Sequence, residues 1–97
     1  MARRERAALI NGDSMNAEVL TNEIKEIIGA QLGLRVREVV DNATFDDLMA
    51  DSLDHVEMLM TVEDMLEKDI ADEEFPKEGQ TTVGEFVTSI LRIAGVA

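Results

Sequence analysis

The stretch Asp51-Ser52-Leu53-Asp54-His55 sets a hydroxyl between carboxylates and within one helical turn of the chain's single histidine. The chain has no Cys, Tyr or Trp, which excludes disulfides, thiolate metal sites and a cysteine nucleophile. Serine, histidine and aspartate together invite a hydrolytic triad. On a single helix, however, Ser52 and His55 diverge by roughly 60° about the axis, and no glycine-rich elbow or oxyanion loop surrounds the serine. Asp46 to Glu57 has the length of a calcium loop, but Leu48 and Ala50 stand at ligand positions and Asp51 where a glycine is needed. The chain is therefore not expected to be an enzyme, and no specific metal site is expected. Loose divalent binding by its acids remains an expectation. His55 reads as a core or rim histidine, or as one that opens the packing of its helix when protonated.

The elements that must hold this stretch follow from periodicity. From the capping residue Asn16, the apolar positions Leu20, Ile24, Ile27, Ile28 and Leu32 keep helical spacing, and Gly33 supplies a left-handed stop. A polar stretch from about Leu34 to Asp51 follows, pinned to a core by Val36, Val39, Phe45 and Leu48. Connections of that length inside a small domain are often functional. A second helix is expected from about Ser52 to Lys68, begun by an Asp51-Ser52 pair suited to the N-cap. "ADEEF" predicts a short helical turn begun at Asp72 and ended by Pro76 and Gly79. In the last helix Thr82 and Glu85 form a capping box, and Val83, Phe86, Val87, Ile90, Leu91 and Ala94 form one apolar face. No segment alternates as a strand. The expectation is an all-α fold: a small four-helix bundle with a long loop between helices one and two and a short third helix.

With 97 residues the chain suits one domain. Residues 1–15, basic at Arg3, Arg4 and Arg6, read as a flexible extension, either an appended leader or an upstream start with Met15 as the original initiator. Residues 16–97 read as the domain. Asp and Glu number 21 against 9 Lys and Arg, a net charge of −12, which argues against nucleic acid and anionic lipid as partners. The segment from Asp41 to Glu78 holds fourteen acidic residues and two basic ones, and so carries the whole excess. No apolar run approaches the roughly 18 residues of a membrane span, and the start lacks a secretory signal. A soluble, cytoplasmic monomer that meets basic proteins is expected.

Turned at about 100° per residue, the second helix sorts into arcs. His55, Met58, Leu59, Val62, Met65 and Leu66 share the core side. Leu53, Val56 and Met60 form a narrower apolar strip, bordered by Glu57 and Asp64 on one side and by Glu63 and Glu67 on the other. Either the strip extends the core or it is a docking surface for basic partners, and its methionine suits a surface that accepts several.

"FDDLMADSLDHVEMLMTVEDML" resembles the acyl carrier protein signature, in which a D-S-L triplet opens the second helix after an acidic loop. "DIADEE" and "TTVGEFVTSI" resemble that family's third-helix start and last helix, so the resemblance covers about residues 17–94. It implies that Ser52 receives 4′-phosphopantetheine from coenzyme A through a magnesium-dependent phosphopantetheinyl transferase, with Asp51 and Leu53 flanking the attachment point and Asp51 taking part in that encounter. It further implies a terminal thiol that carries acyl groups as thioesters between acyl-transferring and acyl-modifying enzymes of fatty acid or related lipid biosynthesis. The arm and its cargo would either fold between helices two, three and four or swing out. The partner face would comprise Asp54, Val56, Glu57, Met60, Glu63, Asp64 and Glu67 beside Leu53. A hydroxyl at a helix start is exposed, and the free N–H groups there suit a phosphate, although Asp51 and Asp54 would repel it. Met49 stands where most members have glycine and Ala71 where proline is common. Phe75-Pro76, the Glu78-Gly79-Gln80 loop and His55 are also unusual, and together they suggest a specialised carrier. A carrier of polyketide or aminoacyl intermediates, or an acidic helical adaptor that is never modified, are the alternatives.

Overall fold

The computed structural model describes residues 16–70, 74–75 and 78–96. Three α-helices stand among them: α1 (Ala17–Leu32), α2 (Ser52–Leu66) and α3 (Val83–Ala94). Single 3-10 turns lie at Val36–Glu38 and Glu78–Gln80. The extension 1–15 and most of the short third helix expected from Asp72 lie outside the described residues, and the described part is all-α with one isolated antiparallel bridge, Thr44 to Thr82.

Each helix begins on a side chain that satisfies its first orphan N–H groups. Asn16 accepts from the Val19 N–H at 2.9 Å. Asp51 and Asp54 form a reciprocal box, with Asp54 N to Asp51 Oδ1 at 2.9 Å and Asp51 N to Asp54 Oδ2 at 3.1 Å. Thr82 and Glu85 do the same for α3 at 3.0 and 3.1 Å. Gly33 ends α1 in the left-handed region at φ 72°, while Gly29 lets the chain double back, since a Cβ there would lie 2.6 Å from the Leu34 carbonyl oxygen.

α2 ends two residues before the expected Lys68. Glu67 adopts φ 56°, ψ 41°, and its N–H returns to the Glu63 carbonyl. The apolar spacing continues past this point, but the left-handed residue breaks the helix. A glutamate pays twice there, through its Cβ and through a negative charge at the negative end of the helix dipole. Glu67→Gly should therefore stabilise the domain by about 1 kcal/mol, read as a higher Tm and an unchanged m-value in urea unfolding.

The helices meet around Leu20, Ile24 and Ile28 of α1, Met58 and Val62 of α2, and Phe86 and Ile90 of α3, all essentially inaccessible. The long loop does not float over this core. Val39 and Phe45 plug into it, Leu48 packs beside it, and Val36, expected as a pin, faces solvent on its 3-10 turn. Backbone bonds staple the loop to the strand-like approach to α3: Phe45 N to Thr81 O at 3.1 Å, Asp46 N to Gly79 O at 2.9 Å, Val83 N to Ala43 O at 2.8 Å. Lys25 of α1 adds an ion pair to Asp41 at 2.9 Å. Two distant chain segments are thereby fixed on either side of the start of α2.

Candidate functional site

Ser52 is the first residue of α2 and is exposed. Its position is set by the turn before it, where Met49 N returns to Asp46 O and Ala50 N to Phe45 O, a closure that drives Met49 to φ 64°. This is the place where the resemblance led to a glycine, and the methionine side chain projects into solvent, 87 % exposed. Past Asp51, the chain enters α2 with its capping box complete.

The Ser52 hydroxyl donates to Glu78 Oε1 at 3.3 Å, across 26 residues of sequence. Between them lies a cleft of about 580 Å³, lined by Phe45, Asp46, Ala50, Asp51, Ser52, His55 and the Glu78–Gln80 turn. Phe45 and His55 are the aromatic part of its wall. They belong to a cluster of all three phenylalanines and the single histidine: Phe45 and Phe86 stand edge to face at 5.2 Å, Phe75 and Phe86 are tilted at 5.0 Å, and His55 lies 5.7 Å from Phe75 and 6.1 Å from the other two rings. His55 is 5 % exposed, and its Nδ1 is buried without a hydrogen-bond partner. It is thus a core histidine and not a rim one.

The carboxylates expected to repel a phosphate are engaged at the helix start. Asp51 and Asp54 each direct an oxygen at the other's N–H, so their charge is spent on the helix's own donors. Gln31 of α1 adds a clamp that the sequence did not announce: its Nε2 donates to Asp54 Oδ1 at 3.0 Å and to Glu57 Oε1 at 2.6 Å. The Gln31 bond, followed by the Asp51 N–H, holds the Asp54 carboxyl below the usual aspartate range. A carboxyl depressed on folding lends stability that is present above its unfolded value, about 4, and is lost as pH falls through the lower folded value. In Gln31→Ala the Asp54 titration, followed by carboxyl ¹³C NMR, should move up towards the ordinary range, and the acid limb of the stability profile should shallow.

The outer face of α2 carries Leu53, Val56 and Met60, 64, 43 and 57 % exposed. Val56 therefore belongs to the surface strip and not to the core. Glu57, Asp64 and Glu67 border it in the open. Glu63 is half-buried and accepts from the Ile70 N–H at 2.7 Å, which ties the exit of α2 to the core. Lys68 reaches the Ile93 carbonyl at 2.9 Å and braces the same corner. Among the described residues no three acidic or histidine side chains cluster closely enough to hold a metal ion, and no helix is long and apolar enough to cross a membrane.

Residues 22–90, which is 69 of the 97, match the family model described as "Phosphopantetheine attachment site". The cleft fits such a group, because an exposed hydroxyl at a helix mouth opens onto a partly polar recess with an unsatisfied buried nitrogen in its wall. The chain belongs to the phosphopantetheine attachment site family, the carrier domains to which 4′-phosphopantetheine is covalently joined on a serine.

Proposed function

We propose that Ser52 is the serine that receives 4′-phosphopantetheine, and that the chain carries acyl intermediates as thioesters between enzymes of fatty acid or related lipid biosynthesis. One observation carries the assignment. The matched segment contains two serines, Ser52 and Ser89. Ser89 sits half-buried in the middle of α3, whereas Ser52 is exposed at the start of α2 with its hydroxyl at the mouth of the cleft.

The chain's own part in the transfer is presentation. The Asp51–Asp54 box fixes the first turn, so the Ser52 Oγ is offered from a rigid platform. In the loading reaction Oγ forms a bond to the β-phosphorus of coenzyme A, 3′,5′-ADP leaves, and the hydroxyl proton passes to base. A phosphopantetheinyl transferase with magnesium supplies the catalysis, and the chain itself is no enzyme. Once attached, the group supplies a thiol on which an acyl chain is held. The Ser52 and Leu53 N–H groups at the helix mouth have no partner within the helix and would suit a phosphodiester there, in the manner of any helix start. With no cysteine elsewhere in the chain, acyl groups have no side-chain thiol to migrate to.

Leu53, Val56 and Met60 form the apolar contact for successive partners, with Asp54, Glu57, Glu63, Asp64 and Glu67 as the acidic rim. Charge of one sign on the carrier and the other on each enzyme speeds encounter without demanding slow release. A cytoplasmic monomer suits that traffic. The test is incubation with coenzyme A, magnesium and a broad-specificity transferase. The expected outcome is one phosphopantetheine-sized mass increase and one titratable thiol per chain. An unchanged mass alongside a modified control carrier would reject the assignment.

A further inference from the structure

The side chain of Met49 has no account in the fold. The turn that delivers the chain to α2 closes through Met49 N to Asp46 O at 3.0 Å and Ala50 N to Phe45 O at 2.9 Å, and it holds Met49 at φ 64°. Glycine takes that conformation freely, whereas a residue with a Cβ does not. A side chain kept at such a position is ordinarily explained by what it packs against. Met49 adds nothing to the core: it is the most exposed of the large apolar side chains among the described residues. One exposed apolar residue is common on any protein. One carried on a strained backbone, three residues before Ser52, needs a partner outside the chain.

The surroundings point to that partner. Asp46, Asp47 and Asp51 are exposed on either side of Met49 in the chain, and exposed Leu53 follows Ser52. The hydroxyl is thus bracketed in sequence by two outward apolar side chains set among carboxylates. Carboxylates draw in a basic surface from a distance, but an apolar side chain that fills a pocket fixes where that surface settles. The transferase must bring the β-phosphorus of coenzyme A to bonding distance of Ser52 Oγ, so its surface closes over the residues beside Ser52. Enzymes that act later work on the thiol at the far end of the arm and have no such need. Resting on the assignment of Ser52 as the attachment point, we infer that Met49 is a recognition residue for loading, its side chain filling an apolar pocket of the phosphopantetheinyl transferase beside the basic groups that meet Asp46, Asp47 and Asp51. An unbranched, polarisable thioether suits such a pocket. A glycine at this position would give the enzyme nothing to hold.

The test is steady-state loading with coenzyme A, magnesium and a broad-specificity transferase, with the carrier as the varied substrate and Tm read on the same samples. Met49→Ala keeps the Cβ and its strained φ but loses the side chain; Met49→Gly loses both. In each the KM for the carrier should rise about tenfold with kcat little changed. Only Met49→Gly should gain stability, with Tm higher by about 4 °C. Met49→Leu should recover most of the wild-type KM. Val36→Ala, which removes an exposed apolar side chain from the 3-10 turn instead, should load with wild-type constants. Wild-type constants for Met49→Ala overturn the inference, and so does an equal loss in Val36→Ala. A fall confined to kcat overturns it too, because it would make Met49 a residue that only positions the turn. A wild-type chain left unmodified beside a modified control carrier overturns the attachment point, and the recognition residue with it.

Discussion

Ser52→Ala should abolish loading outright: no mass increase, no titratable thiol and no carrier activity, with far-UV circular dichroism and Tm unchanged. The hydroxyl is exposed and makes one long contact, to Glu78 at 3.3 Å, so its removal should cost less than about 0.5 kcal/mol of stability. The capping of α2 rests on Asp51 and Asp54 and not on the serine. Function and fold are thus separable at this residue, which is what a site of modification requires. An unmodified acidic adaptor would tolerate the change, because the strip of Leu53, Val56 and Met60 and its acidic border would be intact. Retention of full activity by Ser52→Ala would move the acidic face from accessory to principal feature.

The second large effect lies under the site. Phe86 has no exposed surface and contacts Phe45, Phe75 and His55. Phe86→Ala leaves a cavity at the junction of α2, α3 and the long loop, a class of change that costs about 3 to 5 kcal/mol. A domain of this size has only about 5 to 15 kcal/mol to lose. Urea unfolding should show a midpoint reduced by a third or more, and the fall in Tm should exceed roughly 12 °C. Because Phe45 carries the turn before Ser52, loading should slow as well, most visibly near the new Tm. Leu53→Ala on the exposed strip is the contrast: little change in stability, within about 0.5 kcal/mol, and weaker productive encounter with partners.

Much of this was legible in the residues because it is local. Asn16 with Gly33, and Thr82 with Glu85, mark helix ends within a few positions, and the structure places α1 and α3 between those marks. The outward strip on α2 was also readable, since a helix of fixed pitch leaves little choice. The end of α2 was not. Glu67 takes a left-handed conformation that glutamate does not advertise, and the apolar spacing runs on past it. Val36 and Val39 look alike in sequence, but a 3-10 turn sends one outward and the other into the core.

What the sequence concealed was mostly nonlocal. Gln31 grips Asp54 and Glu57 across 23 and 26 residues, and nothing near Gln31 suggests it. The aromatic cluster beside the cleft brings Phe45, Phe75 and Phe86 together from three segments, and backbone pairing joins the long loop to residues 79–83 in a way that no periodicity encodes. His55 could be assigned to the core by its phase on the helix. That its nitrogen would be left without a partner beside the reactive hydroxyl required the tertiary structure.

The central claim is that one particular hydroxyl carries the arm, and the most direct measurement is peptide mapping of the loaded protein. Trypsin separates the three serines: Ser14 lies between Arg6 and Lys25, Ser52 between Arg37 and Lys68, and Ser89 between Lys77 and Arg92. Tandem mass spectrometry should find phosphopantetheine on the Glu38–Lys68 peptide, with fragment ions placing it at Ser52, and none on the other two. The modification on the Ser89 peptide, or a loaded protein whose Ser52 peptide is bare, would contradict the account.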